Sequence, residues 1–205
     1  YIRGASNLQD LGDLSLMYLQ TATLGAGSKL KRVILGNPAE GYRNAALQTL
    51  EVGASNQMLE EFDIRNLSNL TSTDLPVTSI PSLKRVYAQG SNILTARFAN
   101  NGLLEEAYLP ATLTQLELRN LYFLKHLELE GYSNLIDLTI ENCNISSDKQ
   151  IEILKAATGL KNLRITNVNW SFNTAEELLN RLVEINSTIT GKIYIQNVRQ
   201  TELDA

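Results

Sequence analysis

Leu30, Leu59, Leu83, Leu104 and Leu124 open five short segments that read LKRV, LEEF, LKRV, LEEA and LKHL. The two residues behind each leucine change sign from copy to copy: Lys31-Arg32, Glu60-Glu61, Lys84-Arg85, Glu105-Glu106, Lys125-His126. Opposite charges on facing positions of neighbouring strands attract, and like charges repel. A chain patterned this way is expected to stack the five segments in register, each one a rung above the last. A slip by one full turn would set Lys31-Arg32 against Lys84-Arg85, so the alternation also fixes the register. The individual pairs are solvated and contribute roughly 0–1 kcal/mol each. Their work is alignment, and the architecture it predicts is a coiled, repeating solenoid.

A second set of segments has the same apolar spacing without the charge alternation. It begins at Leu19, Leu47, Leu70, Ile93, Leu113 and Leu135, and continues at Leu160 and near Thr190. The two sets interleave, so one turn is two half-turns with a strand in each, and the full period is roughly 20 to 30 residues. That period, with L-x-x-L-x-L as in Leu113-Leu116-Leu118, is the pattern of the leucine-rich repeat. The ninth consensus position, usually Asn or Cys, holds Asn101, Cys143 and Thr78 in three copies but Leu121 and Val168 in two others. The polar ladder inside the turns is therefore patchy, as in irregular bacterial or viral repeats.

From about residue 146 the second half-turn changes character. Ser146-Ser147-Asp148 followed by Ile151, Ile153, Leu154 and Ala157, with Gly159 behind, predicts a short helix. Asn173-Thr174 with Glu176-Glu177 predicts a second, with Leu178, Leu179, Leu182 and Val183 on one face. The fold class expected is an α/β leucine-rich-repeat solenoid, with two short strands per turn early and strand-plus-helix turns at the C-terminal end. The helices replace the charged strands, so the second set is expected to form the continuous, concave sheet.

Residues 1–205 are expected to form one solenoid domain, since 43% hydrophobic content suffices for a continuous core. A net charge of −4 gives no reason to expect nucleic acid or an anionic membrane surface. No apolar run approaches the roughly 20 residues that span a bilayer. One cysteine excludes an internal disulfide, hence the cysteine-rich caps of secreted animal repeat proteins. A start at Tyr1 without a leader or an N-terminal cap leads us to expect a piece of a larger chain.

The runs LKRVILGNPAEGY (Leu30 to Tyr42), LKRVYAQGSNILTARFANNG (Leu83 to Gly102) and LPATLTQLELRNL (Leu109 to Leu121) carry a family resemblance. With EGYSNLIDLTIENC and ITNVNW, they resemble irregular leucine-rich-repeat regions of large tail and baseplate-associated proteins of gut bacteriophages and prophages. The resemblance covers roughly Leu11 to Trp170. It implies a virion-associated structural or receptor-contacting role, and it carries over no catalytic residue.

Few residues suggest chemistry. The only histidine, His126, occupies a solvated rung position and has no nucleophile at a defined spacing. Cys143 falls at a buried consensus position and reads as a small core side chain. With one cysteine and one histidine there is no metal-ligand spacing, and neither a phosphate loop nor a nucleophile elbow is present. Outward positions of the second set form a column of Thr23, Glu51, Asp74, Arg97, Glu117, Thr139, Arg164 and Tyr194. Glu51 and Asp74 on neighbouring rungs would stand about 5 Å apart, the separation of a retaining glycosidase pair. Arg97 on the next rung neutralises Asp74 and no aromatic platform adjoins them, so an ion-pair column is the reading favoured.

The best contact patch is Tyr87 and Tyr108, stacked and exposed on adjacent charged rungs and flanked by Arg85 and Glu106. The insertion from Gly36 to Asn44 should project as a loop with Tyr42 and Arg43 at its tip. Trp170 and Phe172 read as core beneath the last helix. Five N-x-[ST] sequons, at Asn66, Asn69, Asn144, Asn169 and Asn186, are accounted for by the frequency of Asn in repeat turns.

The function expected is a non-catalytic protein-interaction or structural module without cofactor, in a phage tail or baseplate protein of the virion. Its partners would be other protein subunits or a cell-surface receptor, without nucleic acid or membrane insertion. The alternatives are a ligand-binding repeat module of a bacterial surface or secreted protein, and a glycan-cleaving solenoid.

Overall fold

Alternate residues of a strand point to opposite faces, so a leucine-spaced segment buries one side and presents the other. The computed structural model describes residues 9–11, 18–24, 29–36, 44, 46–52, 56–78, 80–170, 176–177, 179–180, 182–183, 191–197 and 199–200. In chain order the elements are β1 (Asp10–Leu11), β2 (Thr21–Leu24), β3 (Arg32–Gly36), β4 (Thr49–Val52), β5 (Glu61–Ile64) and β6 (Arg85–Tyr87). There follow β7 (Thr95–Phe98), β8 (Glu106–Leu109), β9 (Gln115–Arg119), β10 (His126–Leu129), β11 (Asp137–Glu141) and α1 (Ser147–Ala156). The last are β12 (Asn162–Thr166), β13 (Asn169–Trp170), β14 (Ile193–Gln196) and β15 (Arg199–Gln200).

Through β11 the chain alternates between two parallel sheets, which makes it a β-solenoid. The charged segments form one six-stranded sheet in the order β1-β3-β5-β6-β8-β10. Its register pairs Arg32 with Glu61, Glu61 with Arg85, Arg85 with Glu106 and Glu106 with His126. The other segments form a five-stranded sheet in the order β14-β12-β11-β9-β7, with β2 and β4 paired separately. Val33, Phe62, Val86, Ala107 and Leu127 point inward from the first sheet and meet Ala96, Leu116, Leu138 and Leu163 from the second in one core. Burying each larger aliphatic side chain here contributes about 1.5–3 kcal/mol.

The expectation that the second set is the continuous sheet is corrected: the charged sheet is unbroken and the second is interrupted at 70–78. There Asp74 makes an isolated bridge to Thr95, and Thr71 donates its backbone N–H to Gln48 O at 2.8 Å. Pro76 in this segment has no N–H to give a ladder, so the rung keeps its place without becoming a strand. Thr78 is also corrected; it is exposed, its hydroxyl donating to Arg97 O at 3.3 Å, whereas Asn101 is buried and donates to Val77 O and Ile80 O.

Turns at the strand ends are built on left-handed residues. Asn120, Asn142, Asn167 and Asn197 follow β9, β11, β12 and β14 with φ between 52° and 57°. Asparagine adopts this conformation more readily than other residues with a Cβ. The amide of Asn142 donates to Asn120 Oδ1 and that of Asn167 to Asn142 Oδ1, each at 2.8 Å, so the corner is an asparagine ladder. At the corner of the charged sheet Asn66 after β5 (φ 59) and Gly90 after β6 (φ +66) are also left-handed, and a Cβ on Gly90 would meet Asn66 Oδ1 at 2.3 Å. Gly36, at a register shift between β3 and β5, approaches so closely that a Cβ would lie 1.9 Å from Arg65 O.

Helix α1 begins where predicted, with Ser146 Oγ accepting from Lys149 N. Ile145, Ser146 and Lys149 share a surface pocket with Leu124 to Leu127, which places the start of α1 beside β10. Trp170 is buried and donates its indole N–H to Gln150 Oε1 at 2.8 Å; Phe172 lies outside the described residues. Of the second predicted helix, 176, 177, 179, 180, 182 and 183 are helical, with Asn173-Thr174 outside the described residues. Its apolar face is corrected: Leu182 is buried, but Leu179 and Val183 are exposed.

Candidate contact face

The outward face of the six-stranded sheet carries the charge ladder. Lys84 Nζ lies 2.8 Å from Glu60, Arg85 3.0 Å from Glu61, Arg32 3.6 Å from Glu61 and Lys125 3.0 Å from Glu105. Glu61 is shared between the cations above and below it and is the least exposed carboxylate of the ladder's ion pairs. The hydrogen bond from Lys84 holds the Glu60 carboxyl below the usual carboxylate range. In the backbone register Asp10 of β1 pairs with Arg32, so a sixth strand joins this sheet. Lys31 and Glu106 occupy their rungs in the same columns.

Two residues further along each strand the column changes from charge to aromatic. Tyr87 and Tyr108 stack with ring centroids 5.2 Å apart and 18° between planes. The His126 ring lies 4.9 Å from Tyr108, tilted by 37°, and the Arg65 guanidinium sits 5.2 Å from the Tyr87 centroid. The two stacked rings are therefore flanked by a cation on one side and an imidazole on the other. One expectation is corrected here. The tyrosines are half-buried, because each ring covers its neighbour's face. His126 is the solvated rung residue the sequence suggests, exposed and in register with Glu106, and its ring also tilts against Tyr108. Burial, with Glu106 next, raises the phenol pKa of both tyrosines, so both hydroxyls remain donors in neutral solution. The Tyr87 hydroxyl points to Glu106 Oε2 at 3.5 Å.

Arg65 is a residue the sequence reading missed. It is fixed by Asp63, a buried carboxylate that accepts from both the Arg65 backbone N–H and its guanidinium. One residue separates the partners across the end of β5, so the pair pins the cation over the tyrosines. The only signal in the sequence is D-x-R at a strand end.

The face of the second sheet carries ion pairs, as its column of alternating charges suggests. Arg97 pairs with Asp74 at 3.5 Å and reaches Glu117 at 4.0 Å. Arg119 pairs with Glu117 and Glu141, and Arg164 lies 3.6 Å from Glu141 and 4.5 Å from the Tyr194 ring centroid. Arg97–Glu117 and Arg119–Glu141 pair within their columns, and Arg119–Glu117 and Arg164–Glu141 link one column to the next. The Asp74 position is corrected: its backbone partner is Thr95 and not Arg97. Glu51 accepts from Thr23 at 3.4 Å and belongs to the separate β2–β4 pair. Glu51 and Asp74 stand on neighbouring turns, which the Thr71 N–H to Gln48 O bond joins, but among the described residues no continuous strand pairing links them.

Burial pushes the Cys143 thiol up to about 11, and its Sγ contacts Leu118 O and Glu141 O. Tyr42 and Arg43 lie outside the described residues. Among the described residues no group of three or more His, Cys, Asp or Glu is placed to hold a metal ion. Among the described residues no helix is long and apolar enough to cross a membrane. No family model, no curated protein and no solved structure matches this chain.

Proposed function

We propose that this chain is a non-catalytic protein-interaction module, built as a leucine-rich-repeat solenoid, that contacts protein partners through its charged sheet. The observation that carries the reading is the Tyr87–Tyr108 stack held between Arg65 and His126 and bordered by Arg85 and Glu106. Tyrosine and arginine are enriched at binding hot spots, and a half-buried, pre-ordered side chain loses little entropy when a partner covers it. The leucine-rich-repeat assignment rests on the L-x-x-L-x-L spacing and on the inward polar contacts of Asn101 and Cys143. The setting, a phage tail or baseplate with another subunit or a receptor as partner, rests on the resemblance of Leu30–Tyr42, Leu83–Gly102 and Leu109–Leu121.

The test is an immobilised wild-type chain beside the Tyr87→Ala/Tyr108→Ala variant, each exposed to lysate from the source of the protein. The expected result is one or more proteins retained by the wild type and lost by the variant, with melting temperatures within a few degrees. Identical retention by both would remove the tyrosine column from the contact.

A further inference from the structure

The alternation on the charged sheet has a consequence beyond register: it makes the face complementary to itself. Two copies facing each other across a two-fold axis parallel to the strands keep their strand positions aligned and reverse the rung order. If that axis passes through a strand, every rung meets one of its own sign. If it passes between two strands, every rung meets one of the opposite sign. We propose that this face pairs weakly with a second copy of the chain, about an axis between β6 and β8. The proposal rests on the protein-contact reading of the same face and names its partner.

That axis sets Lys84 against the partner's Glu105 and Arg85 against the partner's Glu106, since these residues occupy adjacent rungs of one register. Further out, Glu60 meets the partner's Lys125 and Glu61 the partner's His126. At the centre Tyr87 meets the partner's Tyr108, which puts the aromatic residues in the middle and the charges around them, as in hot-spot interfaces. The one like-signed opposition, Asp63 against the partner's Glu128, is removed by Arg65. Asp63 is buried and already paired, so the outward group at that position is the Arg65 guanidinium. An axis between β5 and β6 also matches the charges, but it sets Ile34 and Asp63 opposite tyrosines and leaves no aromatic pair at the centre.

The area determines the strength. Four strands at about 4.8 Å and about six residues at about 3.3 Å give roughly 400 Å² per copy, or 800 Å² in all. This is below the range of stable complexes, so the dimer is transient, with a dissociation constant of roughly 10 μM to 1 mM. Part of the attraction is between exposed charges and weakens with salt.

Sedimentation velocity of the whole chain tests this. The wild type is expected to shift from monomer to dimer as concentration rises to about 1 mM, with the dissociation constant rising roughly tenfold between 0.05 and 0.5 M salt. Arg85→Glu and Glu106→Arg should each remain monomeric, because each sets like charges opposite one another. Mixed in equal amounts they should form a heterodimer, since both facing pairs are then opposite in sign. If either variant fails to fold, the wild-type concentration and salt series decides by itself. A wild type that stays monomeric throughout, or singles that dimerise as well as the mixture, overturns the self-pairing. Neither result touches the retention of other proteins, which judges the contact face separately.

Discussion

Reversing a rung of the ladder gives a prediction whose arithmetic depends on stacking order alone. Glu60→Lys/Glu61→Lys removes the pairs of Glu60 with Lys84, and of Glu61 with Arg32 and Arg85. It also sets lysines against Lys31-Arg32 on one side and Lys84-Arg85 on the other. These groups are partly exposed, so each lost pair counts for at most about 1 kcal/mol and each new repulsion for a similar or smaller amount. The total is about 2 kcal/mol, which for a chain of this length lowers the melting temperature by roughly 4–8 °C. Lys84→Glu/Arg85→Glu also spoils two rung interfaces and should lower it comparably. The four substitutions together spoil two interfaces and not four, because the 60-61 and 84-85 rungs again carry opposite signs. The quadruple variant should therefore lose about 2 kcal/mol, half of the roughly 4 that independent sites would give. Thermal and urea unfolding followed by circular dichroism reads all three. An additive loss, or no loss in either pair variant, would refute the assignment of these rungs as neighbours.

The asparagine corner separates backbone from side-chain contributions. Asn142→Gly keeps access to φ 52° but loses two ladder hydrogen bonds, and should cost about 1–2 kcal/mol in urea unfolding. Asn142→Ala should cost about 1 kcal/mol more, because a Cβ without a polar group is strained there; equal losses would contradict the role given to the positive φ. Acid should weaken the ladder. Lys84 lowers the folded-state pKa of Glu60, so the stabilisation is complete above the ordinary carboxylate range and disappears as pH falls through the lowered value. Lys84→Met should flatten the fall in melting temperature between about pH 5 and pH 3; an unchanged slope would remove Glu60 from the acid response.

Features that repeat in one column were legible from the residues. Leucine spacing gave both sheets, and the sign alternation gave the order of β3, β5, β6, β8 and β10. What depends on geometry between columns was not legible. Asp74–Arg97, Glu117–Arg119 and Glu141–Arg164 join residues whose strand positions differ by two, and side-chain reach creates these links, while Arg97–Glu117 and Arg119–Glu141 are register partners within one column. The break at 70–78 follows from where Pro76 falls relative to the ladder bonds, which the leucine spacing at Leu70 conceals. Nothing in the sequence sets Asn120, Asn142 and Asn167 apart from other asparagines, because a positive φ leaves no mark on composition. The tyrosine patch was found as two residues and is a cluster of four, since Arg65 enters from beyond its strand end and His126 from the charge column of the next rung.

The contact face, the self-pairing and the reversal arithmetic all rest on the register of the charged sheet, and disulfide trapping tests it most directly. In-register residues of adjacent parallel strands have Cα atoms about 4.8 Å apart, within the 4.4–6.8 Å span of a disulfide, whereas an offset of two residues makes it roughly 8 Å. Cys143 is buried with its thiol pushed up to about 11 and does not compete. At low protein concentration, Glu106→Cys/His126→Cys should close an intramolecular disulfide under mild oxidation while Glu106→Cys/Glu128→Cys should not. Closure of the second pair in preference to the first would contradict the stacking on which the account is built.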